Sequence, residues 1–191
     1  MKRISLLFAF ASLTLIASAQ TWTLDKTHAK LGFAITHLTI SEVEGQFKSF
    51  DIKLTAKKED LSDAVIEVTA DINTIDTDDE KRDGHLKSAD FFDAANYPTL
   101  SFKSTSYKKE GSDKYKYILT GNLTMHGVTK TVTLDVTYNG STIHPYTQKT
   151  ILGFKIKGTL KRSDFSISTG TPTTVLSDEV TIHSNVEFVK D

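Results

Sequence analysis

The chain has no cysteine, and that absence removes several kinds of chemistry at once. A thiolate zinc site, a disulfide scaffold and a cysteine nucleophile all need the residue. So does a bacterial lipid-attachment signal. Charge of one sign is also lacking. Lys and Arg number 23 against 24 Asp and Glu, so there is no basic excess of the kind a nucleic-acid binder carries. At 38% hydrophobic the chain is too apolar, and too evenly charged, to be disordered. No repeat of fixed period and no low-complexity linker interrupts it, so its 191 residues read as one domain. No apolar run reaches the roughly 20 residues of a membrane-spanning helix.

Enzyme motifs are missing as well. The six histidines (His28, His37, His85, His126, His144 and His183) form no His-x-x-x-His or His-Glu-x-x-His pair. There is no Gly-x-Ser-x-Gly elbow and no phosphate-cradling glycine loop. No catalytic residue, metal site or cofactor is expected on these grounds.

What is present begins with an address. Lys2 and Arg3 precede an apolar run from Ile4 to Ile16, and Ala17-Ser18-Ala19 is a small-x-small cleavage site. Residues 1–19 therefore read as a secretory signal peptide and 20–191 as the mature domain, periplasmic or secreted. Cleavage removes two cations and no anions, leaving a net charge of −3.

The mature chain alternates. Leu31, Phe33 and Ile35 share one parity, as do Ile66, Val68 and Ala70, and Tyr117, Leu119 and Leu123. Val132, Leu134 and Val136 repeat the pattern, followed by Phe154, Ile156 and Leu160, then by Val180, Ile182, Val186 and Phe188. Period-2 runs rich in Thr, Val, Ile and aromatics predict half-buried strands, about eight of them. Gly111, His126-Gly127 and Asn139-Gly140 mark turns between strands. One segment differs. Thr77-Asp78-Asp79-Glu80 has capping-box spacing, which predicts a helix from an N-cap at Thr77 to about Ala89. Phe91, Phe92 and Tyr97-Pro98 follow it.

Eight antiparallel strands make a sandwich or a closed barrel. A barrel of that size holds side chains or one small ligand. Ala70, Ser104, Gly121 and Gly158 put small residues among large ones on the apolar faces. They read either as taper packing or as a slot for an apolar guest, and strand glycine favours packing. Asp25 and His28 suit a hydrogen-bonded cap at a strand entrance. His37 shares the parity of Phe33 and Ile35, so it points inward near a strand end. Arg82 and His85, three apart, share a helix face on which they grip an anion or a carbonyl, or simply face solvent.

Four blocks then coincide with a known family. They are Trp22-x-Leu24-Asp25-x-x-His28 through Val43-x-Gly45-x-Phe47, Arg82-Asp83-x-His85-Leu86-Lys87-Ser88-x-Asp90-Phe91-Phe92-Asp93 with Tyr97-Pro98, Gly121-x-Leu123-Thr124-Met125-His126-Gly127, and Arg162-Ser163-Asp164-Phe165 with Ser177-Asp178-Glu179-Val180. The chain resembles the YceI-like family of exported, lipocalin-like proteins. The resemblance implies an all-β, eight-stranded antiparallel barrel with one helix. It also implies a cavity for a long isoprenoid, such as a polyprenyl quinone or polyprenyl phosphate, or for a fatty-acid-like molecule. The hollow interior then becomes the better account of the small residues. The expected ligand-facing residues are Phe33, Ile35, His37, Phe47, Arg82, His85, Phe91, Phe102, Leu119, Leu123, Leu134, Phe154, Ile156, Phe165 and Ile182. A homodimer is a candidate assembly, as some relatives are dimers. No nucleic acid and no stable membrane insertion are expected. The competing function is a secreted enzyme acting on a lipid, with His37, His85 or Asp25 in acid–base roles. Two positions depart from the family pattern. Ala29 stands in place of a serine, and Ser166 in place of a glycine.

Overall fold

The computed structural model describes residues 20–191. The expected signal peptide, residues 1–19, lies outside the described residues. The remainder is a closed up-and-down barrel of eight strands in which each strand pairs with the next and the first pairs with the last. Strand β1 has two parts, Gln20–Leu24 and Lys30–His37, separated by the 3-10 turn Lys26–His28. Strand β2 is Ser41–Phe47 and Phe50–Ala56, and β3 is Val65–Asp71, extended by the short pair Ile75–Asp76. Helix α1, Glu80–Leu86, precedes β4 (Thr99–Lys109), β5 (Lys116–Met125), β6 (Val128–Ile143), β7 (Thr150–Lys161) and β8 (Leu176–Lys190).

Closure depends on the break in β1. Its first part pairs with the C-terminal end of β8, through Leu24 and Phe188. Its second part pairs with the N-terminal half of β8, through Phe33 and Ile182. All pairings are antiparallel, so the alternation read from sequence sends one parity inward around the whole ring. The opposite parity carries Lys53, Glu67, Lys103, Asp135, Lys155 and Lys157, all on the outside except for the half-covered stem of Glu67. Such a wall lacks the apolar band that a membrane-spanning barrel turns toward lipid. No helix among the described residues is long and apolar enough to cross a membrane.

Register places the functional end. His37 lies opposite Leu176, Met125 opposite Val128, and Asp71 opposite Thr99. The β1–β2 turn, helix α1 with residues 87–98, the β5–β6 turn and the 162–175 connection therefore share one end of the barrel. His126 (φ 51°) and Gly127 (φ 73°) turn the chain there as a two-residue hairpin.

Two local expectations are corrected. Asn139-Gly140 is no turn, because both residues lie within β6. Gly153 pairs with Gly140 and Phe154 with Tyr138, so Asn139 is the extra residue of a bulge, and the hairpin falls at 144–149. The helix is capped by Asp79, whose carboxylate accepts from the N–H groups of Lys81 and Arg82, and it ends at Leu86. Thr77, the expected cap, is buried, and the Asp83 carboxylate accepts from both its N–H and its hydroxyl.

Candidate functional site

The inward parity does not fill the barrel. A cavity of about 930 Å3 runs along its interior. Val68, Val132, Leu134, Ile156 and Ile182 face inward on well-formed strands yet are only half-buried, because their free surface borders this space. At roughly 30 Å3 per non-hydrogen atom, a water's share of liquid volume, the cavity holds on the order of 30 carbon atoms.

Fourteen of the fifteen expected residues border it. Phe33, Ile35, His37 and Phe47 come from β1 and β2, and Arg82, His85 and Phe91 from the helical segment. Phe102, Leu119, Leu123, Leu134, Phe154, Ile156 and Ile182 complete the set from β4 to β8. Phe165 is the exception. The 3-10 turn Arg162–Phe165 folds its ring into the wall, where it is 1% exposed. Its carbonyl oxygen, which can only accept, lies 3.0 Å from His126 Nδ1, so that nitrogen carries the proton.

The small residues are also placed differently from expectation. Ala70, Ser104, Gly121 and Gly158 do not border the cavity. Gly121 lies beneath the Phe102 ring and Gly158 beneath the Leu134 side chain. The two glycines accommodate neighbouring side chains.

Polar groups gather at the helix end. Arg82 donates from Nε to Thr77 Oγ1 at 2.8 Å and from Nη2 to the Thr77 carbonyl. Its Nη1 has no protein partner among the described residues, and the side chain borders the cavity. His85 packs edge-on against Phe91, centroids 4.9 Å apart, with Nε2 3.5 Å from Asp90 Oδ2. His37 borders the same end from the last position of β1.

Beyond Ser166, sequence reasoning missed the rim opposite the helix. Residues 166–171, Val175 and Leu176 border the cavity, and this loop carries no alternation to betray it. Arg162 holds it in place. Buried at 5% exposure, it donates to the backbone carbonyls of Ser177 (3.0 Å), Ile167 (3.2 Å), Thr171 (2.8 Å), Leu176 (3.0 Å) and Ser168. Ser166 follows at φ 59°, a left-handed conformation that glycine adopts without strain.

Asp25 and His28 sit elsewhere, and neither borders the cavity. Asp25 caps the 3-10 turn through Thr27 and lies 3.0 Å from His28 Nδ1. Hydrogen bonds from Thr27 and His28 pull its carboxyl down to about 2. The same pairing, with the charges of Asp25 and Glu187, raises the His28 imidazole above 6.5. Asp25, His28 and Glu187 each place a ligating atom within 4.8 Å of the others, a grouping that no sequence spacing revealed. Asp25 is thus too remote to act with His37 or His85 on a molecule inside the barrel.

Known proteins share this plan. The model of the YceI-like domain matches residues 22–188. Protein YceI of Salmonella agona is 41% identical over 174 residues, covering 88% of this chain and 89% of that one. The crystal structure of Campylobacter jejuni YceI superposes with a TM-score of 0.73 at 37% identity, covering 88% of this chain and 97% of that one. Burkholderia cenocepacia BcnA gives 0.75 at 26% identity, covering 86% and 98%. A polyisoprenoid binding domain from Saccharophagus degradans gives 0.63 at 16% identity, covering 90% and 99%, and shares the fold. With the domain match running from the first described strand to the last, and the barrel, helix and cavity all in place, the chain belongs to the YceI-like family.

Proposed function

We propose that this protein is an exported binding protein that holds a long isoprenoid, or a related lipid, inside the barrel. The observation that carries the reading is the cavity itself: about 930 Å3, lined by aliphatic and aromatic side chains, with its charged groups confined to one end. Burial of a hydrocarbon there contributes about 0.8 kcal/mol per CH2 before ordering costs. A lining of this kind discriminates poorly by length, since one methylene is worth only about 1–3 kcal/mol. Selectivity falls to the head group. Arg82 Nη1, His85 and His37 are the groups placed to meet its oxygen atoms, whether quinone carbonyl or phosphate. The name of the Saccharophagus degradans domain supports an isoprenoid as guest. The sequence of residues 1–19 supports export, and the role is carriage, storage or sequestration rather than catalysis.

Native mass spectrometry followed by organic extraction tests this directly. An apolar molecule should be released from the purified protein. The emptied protein should take up polyprenyl quinone, and its melting temperature should rise with ligand concentration. A protein that never takes up the quinone, and whose melting is indifferent to it, refutes the proposal.

A further inference from the structure

The lip of the cavity formed by the β1–β2 turn and the end of the 162–175 connection brings two charge-free runs together at the rim. A quarter of the chain is charged, yet neither Leu31 to Ser41 nor Phe165 to Ser177 contains Asp, Glu, Lys or Arg. The fold joins these two runs. His37 pairs with Leu176, and the Leu38 N–H donates to the Val175 carbonyl at 2.9 Å. Three apolar side chains stand out at the tip: Ile40 at 85% exposure, Leu38 at 49% and Val175 at 38%. Val175 and the neighbouring His37 border the cavity.

The turn is also costly for the fold. Leu38 (φ 50°) and Thr39 (φ 63°) are both left-handed, with the Ile40 N–H closing on the His37 carbonyl. That geometry favours Asn-Gly. Leucine and threonine there add strain, and the leucine exposes apolar surface that folding does not bury.

We infer that this lip docks on the surface of a lipid bilayer. Leu38 and Ile40 seat at the boundary of head groups and acyl chains, and an apolar guest passes between bilayer and cavity without crossing water. The inference rests on the isoprenoid-binding reading. Three observations select a bilayer. A charge-free lip enters that boundary without desolvating ions. A protein-facing surface ordinarily carries a polar rim. Three side chains fall far short of the roughly 800 Å2 per partner of a stable dimer. The charges flanking the two runs are Lys30, Glu42, Asp164 and Asp178, with the Arg162 guanidinium buried beneath the rim, so the lip carries no basic excess of the kind that selects anionic lipid.

The test compares the purified protein with the double variant Leu38→Asn, Ile40→Asp. Neither residue borders the cavity, and asparagine suits the left-handed turn. Three quantities are read: co-sedimentation with phosphatidylcholine vesicles, the rate of polyprenyl quinone transfer from those vesicles to the protein, and binding of farnesol in vesicle-free solution. The wild type should pellet with the vesicles, and still do so in about 0.5 M salt, where surface charge is screened. The variant should lose at least about tenfold in association and in transfer rate, with farnesol binding unchanged. Equal transfer by both proteins overturns the inference. So does a wild type that ignores phosphatidylcholine. A variant that turns a dimer into a monomer with vesicle association unaltered also overturns it, and makes a second copy the occupant. Farnesol binding by neither protein refutes the cavity reading instead, while co-sedimentation still judges the docking.

Discussion

Replacing Arg162 with lysine should destabilise the barrel well out of proportion to the conservative look of the change. Arg162 is 5% exposed and its guanidinium makes five hydrogen bonds, three to backbone carbonyls of the connection into β8 and two to those of the first residues of β8. Lysine brings one nitrogen and at most three donors. At least two carbonyls lose their partner. A buried acceptor left unsatisfied costs about 1–3 kcal/mol, so the loss is about 2–6 kcal/mol. At about 2–4 °C per kcal/mol for a domain of this size, the melting temperature should fall by roughly 5–20 °C. Urea unfolding gives the free energy, and an unchanged m-value shows that the denatured state is the same. Amide exchange across residues 166–176 locates the damage. The loop can also relieve the loss by opening to water. The free-energy cost then shrinks, and exchange in that segment rises. A variant within about 1 kcal/mol of wild type, with no faster exchange in the loop, would refute the assignment of Arg162 as the group that fixes the rim.

Thr77→Val removes the hydroxyl shared by Asp83 and Arg82, so amide exchange should rise through residues 77–97 and stability should fall by about 1–3 kcal/mol. Asp25→Asn should return the His28 titration, followed by NMR, toward 6.5 from its raised value. The stability contribution of the Asp25–His28 pair is greatest between pH 3.8 and 6.5. It fades as pH rises through the raised His28 value, and as pH falls toward the depressed Asp25 value, so the variant's deficit should peak inside that window. Gly121→Ala places a methyl 2.5 Å from the Lys103 carbonyl oxygen, which cannot move aside, and should cost about 1–3 kcal/mol or more in urea unfolding. Gly158→Ala meets only the flexible end of Leu134, so it should cost less and instead reduce the amount of long-chain ligand bound.

Parity made the barrel legible. Phe33, Leu119, Phe154 and Ile182 each repeat at two-residue spacing, and in a closed antiparallel ring one parity has a single destination. Local competition was less legible. Thr77-x-x-Glu80 has cap spacing, yet Asp79 caps the helix, and the Asp83 side chain holds the Thr77 N–H and hydroxyl. Asn139-Gly140 has turn chemistry, but the pairing of β6 with β7 continues past it and absorbs Asn139 as a bulge. Of the rim loop held by Arg162, only the Arg162-Ser163-Asp164-Phe165 block and Ser166 stood out in the sequence. Its hydrogen bonds go to main-chain carbonyls, which leave no mark on side-chain identity. Glu187 beside Asp25 and His28 was hidden for a different reason, since β1 and β8 meet only when the barrel closes.

The small residues on the strands posed a choice between packing and an open slot, and the structure makes the two compatible. Gly45 receives the Phe33 ring, Gly121 the Phe102 ring and Gly158 the Leu134 side chain. Each of these large groups borders the cavity. A Cβ at any of the three glycines would occupy the space its neighbour now fills and force that neighbour toward the lumen. Glycine lets the ring or branched chain lie back against the wall, where it keeps its contacts without spanning the interior. The lumen is therefore held open by residues that never touch it. Its half-buried lining, Leu134 and Ile156 among it, retains apolar surface that no further side chain of the barrel covers. That uncovered surface is what an isoprenoid chain would bury, so the feature that lowers the stability of the empty barrel is the one that gives a guest its binding energy.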